Sequence, residues 1–160
     1  MRRSQTSEVY LLCVVPPPQL TERVAHAQGS LTGLQAKLPA LEAAGWEVLC
    51  VSADPVDVAA KMVSEYGLTY PVAGGLTEQH MRSLGTYVSD PKNYQPQTYP
   101  FSEPAFFVLD GSTGAIKYRC EASCPMAGRP DVDAVLAGFA WSKQNAIEHP
   151  EYVGHVWGAK

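Results

Sequence analysis

The chain has 160 residues, the size of one ordinary domain and long enough to bury a core. Its 46% hydrophobic and 18% charged residues exclude a disordered chain. A net charge of -4 and a pI near 5.5 argue against nucleic acid or an anionic membrane surface as partner, and no apolar run reaches the roughly 20 residues of a membrane-inserted helix.

The basic start, Met1 to Ser7, leads only into a short apolar stretch and then Pro16-Pro17-Pro18, so secretion is not expected. The expected setting is intracellular, in the cytoplasm or in an organelle such as a mitochondrion or plastid. Residues Glu8 to Val15 form a continuous apolar run, the pattern of a strand buried on both faces. Leu20, Val24, Ala27, Leu31, Leu34, Leu38 and Leu41 then recur at spacings of three and four, which predicts a long helix. Pro39 should bend it and Gly45 should end it. Trp46 to Ser52 reads as a second strand. Asp54-Pro55 reads as an acidic cap with proline at the first helical position, followed by a helix that Gly67 stops.

Thr77 is placed to cap a short helix running to Leu84. Residues 89–103 read as a loop rich in Tyr and Pro, too long for a simple connection. Ala105 to Leu109, the turn Asp110 to Gly114, and Ala115 to Arg119 read as an antiparallel hairpin. A last helix is expected from about Asp131 to Asn145. Two parallel strands joined by a helix, then a hairpin, is the order of a thioredoxin-like core. The expected fold class is therefore α/β: a three-layer sandwich whose central mixed sheet of about four to five strands is flanked by helices. Residues 1–147 would form this domain and residues 148–160 an aromatic C-terminal tail.

In such a fold, the loop after the first strand enters the first turn of the long helix. A cysteine there gains from the helix dipole and from unpaired N–H groups, which lower its pKa. No sulfur lies between Cys13 and Cys50 in this chain.

Several stretches nevertheless resemble the peroxiredoxins, in particular the peroxiredoxin-like branch of the AhpC/TSA family. They are Leu34 to Glu42, Val51 to Pro55, Tyr70 to Val72, Phe107 to Gly111 and Arg129 to Asp133, in the family's order. The family's peroxidatic motif is Pro-x3-Thr/Ser-x2-Cys. Pro17, Thr21 and Val24 match its spacing, with valine in place of the cysteine, and Ala27 falls where relatives with a Cys-x2-Cys turn have their second cysteine. The resemblance also implies an arginine before the Phe-x-x-Asp strand, where this chain reads Ser102-Glu103-Pro104. Pro104 falls where thioredoxin-like proteins often hold a cis proline, and a cis bond is expected there on the resemblance.

Cys13 and Cys50 lie within apolar strands and read as small buried hydrophobes. Cys120 and Cys124 are the candidate redox pair, with Arg119 and Arg129 near enough in sequence to favour a thiolate. His149 and His155 with these cysteines fit no familiar zinc spacing, so no metal and no cofactor are expected. Tyr94, Tyr99, Phe101, Tyr152 and Trp157 are candidate partner-binding residues, since Tyr and Trp commonly anchor interfaces. Two functions remain open. One is a redox-inactive protein-binding or structural module, joined to its own copies or to a larger assembly. The other is a thiol-dependent antioxidant or disulfide oxidoreductase using Cys120 and Cys124 or a partner's thiol.

Overall fold

The computed structural model describes residues 9–15, 25–91, 98–122 and 131–149. The chain divides into two compact units, residues 1–129 and residues 130–160. The first carries strands β1 (Val9–Val15), β2 (Trp46–Ser52), β3 (Val72–Ala73), β4 (Val88–Ser89), β5 (Phe101–Ser102), β6 (Ala105–Asp110) and β7 (Ile116–Glu121). Its helices are α1 (Ala25–Ala43), α2 (Val56–Tyr66) and α3 (Glu78–Leu84).

Five strands form one mixed sheet in the order β3-β2-β1-β6-β7, and β4 and β5 form a separate two-stranded ladder. β1 runs parallel to β2 and antiparallel to β6. This is the expected architecture with a short third parallel strand added at the edge. Two-residue strands such as β3, β4 and β5 are too short to leave an alternation pattern, so the sequence concealed them. One consequence is that the expected loop 89–103 is anchored at both ends, Val88 pairing with Ser102 and Ser89 with Phe101.

Burial follows the pleat. Val9, Leu11, Cys13 and their β2 partners Trp46, Val48 and Cys50 are all buried on one face. Leu31, Leu34 and Leu41 of α1 are also buried, as their spacing predicted. On the opposite face Val14, Ala105 and Phe107 form a buried cluster, against which Leu12, Val51, Leu76, Leu84 and Leu109 pack. Helix α1 continues through Pro39 as one element.

The α2 start departs from expectation. Pro55 is itself the N-cap, with extended backbone and no side-chain cap, and Asp54 is drawn inward instead. The α2 end is as expected, since Gly67 takes the left-handed conformation (φ 60°) that closes the helix. Thr77 caps α3 by accepting from the His80 N–H at 3.2 Å. In the β6–β7 turn, the Asp110 carboxylate accepts from the Ser112 and Thr113 N–H groups at 2.9 and 3.1 Å. A bond from the Ser112 hydroxyl, then these backbone bonds, hold its pKa down to about 2.

The second unit carries α4 (Val132–Glu148), capped by Asp131, whose carboxylate accepts from Asp133 N–H at 2.9 Å. Phe139 and Ser142 are its buried residues. Among the described residues, no helix is long and apolar enough to cross a membrane.

Candidate functional site at the carboxyl ends of the parallel strands

β1, β2 and β3 run in the same direction, so their carboxyl ends share one edge of the sheet. In open α/β sheets that edge is where ligands and chemistry gather. The polar side chains buried near it come from short segments that leave or enter strands.

Ser52 ends β2, and Asp54 follows two residues later. Both are completely buried. The Asp54 carboxylate accepts from the Ser52 hydroxyl at Oδ2 and from the Tyr99 hydroxyl at Oδ1, the latter at 2.8 Å. The Asp54 N–H returns to Ser52 Oγ at 3.1 Å. The backbone closes the same corner: Gly75 N–H donates to the Asp54 carbonyl at 2.7 Å, and Leu76 N–H to the Ser52 carbonyl at 2.9 Å. Gly74 approaches so closely that a Cβ there would lie 2.8 Å from the Asp54 carbonyl oxygen. A buried carboxylate is stable only with donors, and these are what drew Asp54 away from the helix cap. Burial and the bond to Asp54 push the Tyr99 hydroxyl pKa upward, so it stays a donor.

On the other side of β1 the register ends with Val14 opposite Ala105. The residues that lead into β6, Ser102, Glu103 and Pro104, therefore adjoin the β1 end. Glu103 is only 5% exposed. Its Oε1 accepts from the Ser89 hydroxyl at 2.6 Å, while its Oε2 is buried with no hydrogen-bond partner among the described residues. Burial raises its pKa against the lowering effect of the Ser89 bond. Among the described residues there is no cis peptide bond, so the bond before Pro104 is trans, contrary to expectation. Hydrogen bonds from Glu103 N–H to the Tyr87 carbonyl and from Ala122 N–H to the Pro104 carbonyl, both 2.9 Å, hold the chain in place on either side of it.

The other predicted residues divide into those brought to this edge and those elsewhere. Pro17, Thr21, Val24, Cys124, Tyr94, Tyr152 and Trp157 lie outside the described residues. Ala27 lies in α1, its side chain likewise outside them. Tyr99 is at the edge but half-buried and bonded inward. Phe101, expected on a contact surface, is 3% exposed because β5 turns it into the interior. Phe101 is the correction, since the ladder packs it inside the protein, whereas Tyr99 stays partly exposed.

Cys13 and Cys50 face each other across β1 and β2, wholly buried. Burial first, then the neighbouring Cys50, pushes the Cys13 thiol well up, and burial likewise raises the Tyr70 hydroxyl beside them. Cys120 is half-buried in β7, next in sequence to Arg119. Adjacent strand residues point to opposite faces, and the Arg119 guanidinium is taken by Glu121 at 2.6 Å and by the Gly85 carbonyl at 3.1 Å. Among the described residues no three His, Cys, Asp or Glu side chains come together as a metal site.

Sequence reasoning missed the Ser52–Asp54–Tyr99 cluster and the incomplete pairing of Glu103. An Asp-Pro pair resembles a helix cap, so its signal was spent on the wrong role. A glutamate between Ser102 and Pro104 at the start of an apolar strand was the available sign of a buried carboxylate.

The sequence profile of the AhpC/TSA family matches residues 23–119. Solved structures with a similar fold include a cysteine-to-serine mutant of peroxiredoxin 6 from Arenicola marina. It is 17% identical with a TM-score of 0.64, over 86% of this chain and 64% of that one. The bacterioferritin comigratory protein of Xanthomonas campestris is 20% identical with a TM-score of 0.62, over 87% of this chain and 81% of that one. PrxQ of Xylella fastidiosa, also a cysteine-to-serine mutant, is 17% identical with a TM-score of 0.63, over 86% and 79%. At these identities the likeness establishes the thioredoxin-like fold. This chain thus spans under two thirds of the Arenicola chain. No curated protein matches the chain in sequence.

Proposed function

This chain belongs to the AhpC/TSA family, and we propose that it is a redox-inactive member that works as a protein-binding or structural module. One observation carries the reading. The family's motif has its reactive cysteine after the first strand, and from residue 14 to residue 49 this chain has no sulfur. Peroxide reduction needs a thiolate to attack the peroxide oxygen, and Val24 at the motif's cysteine position supplies none.

Two features of the described residues support it. The thiols nearest in sequence, Cys13 and Cys50, are fully buried, and the Cys13 pKa is pushed away from the reactive range. Where the family has an activating arginine, this chain has Glu103, a buried carboxylate whose charge would oppose a thiolate. The Xanthomonas campestris protein is described with alkyl peroxide reduction activity. The present chain keeps that fold without the corresponding sulfur. A partner protein, or further copies of the chain, then accounts for the retained domain.

The test is steady-state consumption of hydrogen peroxide and of an alkyl hydroperoxide with thioredoxin or dithiothreitol as reductant. The expected rate equals the protein-free background. Turnover comparable to an ordinary peroxiredoxin would overturn the proposal.

A further inference from the structure

The β4–β5 ladder carries a buried carboxylate whose pairing is incomplete. Ser89 pairs with Phe101 and Val88 with Ser102. The Glu103 N–H donates to the Tyr87 carbonyl, so Tyr87 stands opposite Glu103 one step beyond the ladder. Opposite and diagonal residues of an antiparallel pair share a face. The bond from Ser89 Oγ to Glu103 Oε1 at 2.6 Å agrees with that placement. Among the described residues nothing donates to the second oxygen, Oε2, although Glu103 is only 5% exposed. In that setting an ionised Oε2 has neither a donor nor a counter-charge among the described residues.

Among the described residues, the arginine on that side does not supply them. Arg119 reaches the Gly85 carbonyl, two residues before Tyr87, but its charge is paired with Glu121 at 2.6 Å. Tyr87 is 53% exposed, a large aromatic on open surface opposite the buried acid. A carboxylate beside an exposed aromatic ring is the combination that receives an organic cation, one attracting its charge and the other its polarised C–H face. A hard metal ion is a poorer fit, because no three acidic, His or Cys groups converge among the described residues.

We propose that Glu103, Ser89 and Tyr87 form a binding site for an alkylammonium or guanidinium group, entered from the Tyr87 side. The cation's N–H donates to Glu103 Oε2, Ser89 fixes the other oxygen, and the tyrosine ring covers the apolar part of the ligand. The site uses no thiol chemistry, so it stands or falls separately from the peroxidase assay.

The experiment is a titration of the full-length protein followed by amide NMR. The probes are n-butylammonium, methylguanidinium, and short end-capped peptides carrying one Lys or Arg. Saturable shifts at Tyr87, Ser89 and Glu103 are expected. Affinity should fall at least about tenfold in Glu103→Gln and roughly threefold to tenfold in Tyr87→Leu. A capped peptide binding about tenfold tighter than the bare cation identifies a protein side chain as the source. Equal affinity identifies a free amine or guanidine. The proposal is overturned if no probe gives saturable shifts at tens of millimolar, or if Glu103→Gln folds and binds like the wild type. Should Glu103→Gln not fold, unchanged affinity in both Ser89→Ala and Tyr87→Leu overturns it equally.

Discussion

Replacing Tyr99 with phenylalanine removes one hydroxyl and keeps the ring, which isolates the bond that ties the segment before β5 to the corner after β2. That hydroxyl donates to Asp54 Oδ1 at 2.8 Å, and Asp54 is wholly buried. Ser52 continues to serve Oδ2, so the substitution leaves Oδ1 without its side-chain donor. A hydrogen bond to a charged group contributes about 1.5–3 kcal/mol net, and leaving a buried acceptor unpaired lies toward the upper part of that range. For a chain of this length the loss corresponds to a fall in Tm of roughly 3–12 °C. Thermal and urea unfolding followed by circular dichroism measure it. In an Asp54→Asn background the charge is gone, and the cost of Tyr99→Phe should shrink by about 1 kcal/mol or more. A cost below about 0.5 kcal/mol, or the same cost in both backgrounds, would mean that the Tyr99 hydroxyl does not hold Asp54.

Gly74→Ala should destabilise by about 1–3 kcal/mol, because its Cβ would meet backbone atoms of Asp54 and Val56 at 2.8 and 2.9 Å, and neither can retreat alone; urea unfolding checks this. Burial raises the Glu103 pKa, so the folded protein holds that proton more tightly than the unfolded chain. The resulting stability is full below the ordinary value of 4.5 and is lost as pH rises through the folded value; Glu103→Gln should therefore gain on the wild type as pH rises from 4.5, and a difference independent of pH would contradict this. Cys13 and Cys50 should resist brief iodoacetamide treatment of the native protein while Cys124 labels first, as read by peptide mass spectrometry; fast labelling of Cys13 would mean β1 is misplaced.

The elements with strong local signals were legible in the sequence alone. β1 and β2 announced themselves as apolar runs, Thr77 as a cap, Gly67 as a stop, and Asp110 to Gly114 as a hairpin turn. Each depends on residues close in sequence. What escaped depends on distant partners. Asp54 reads as a helix cap until Tyr99, 45 residues away, offers it a proton donor inside the protein. Phe101 reads as a surface aromatic until the β4–β5 ladder, only two residue pairs long, turns it inward. Arg119 reads as a neighbour of Cys120, but the pleat sends the two side chains to opposite faces. Of the candidate site, the sulfur-free stretch and Glu103 between Ser102 and Pro104 were visible in the sequence. The missing hydrogen bond at Glu103 Oε2 was not, because it is a property of packing.

Trapping the first product of a reactive thiolate tests whether this peroxiredoxin-like chain forms one, without any reductant or partner. The native protein is treated with a small excess of hydrogen peroxide in the presence of dimedone, which captures a cysteine sulfenic acid, and its intact mass is measured. No rapid adduct is expected in the wild type, and a rapid single adduct in Val24→Cys if the surrounding scaffold still activates a thiol. A rapid stoichiometric adduct on wild-type Cys120 or Cys124 would contradict that expectation and return the chain to thiol-dependent redox chemistry.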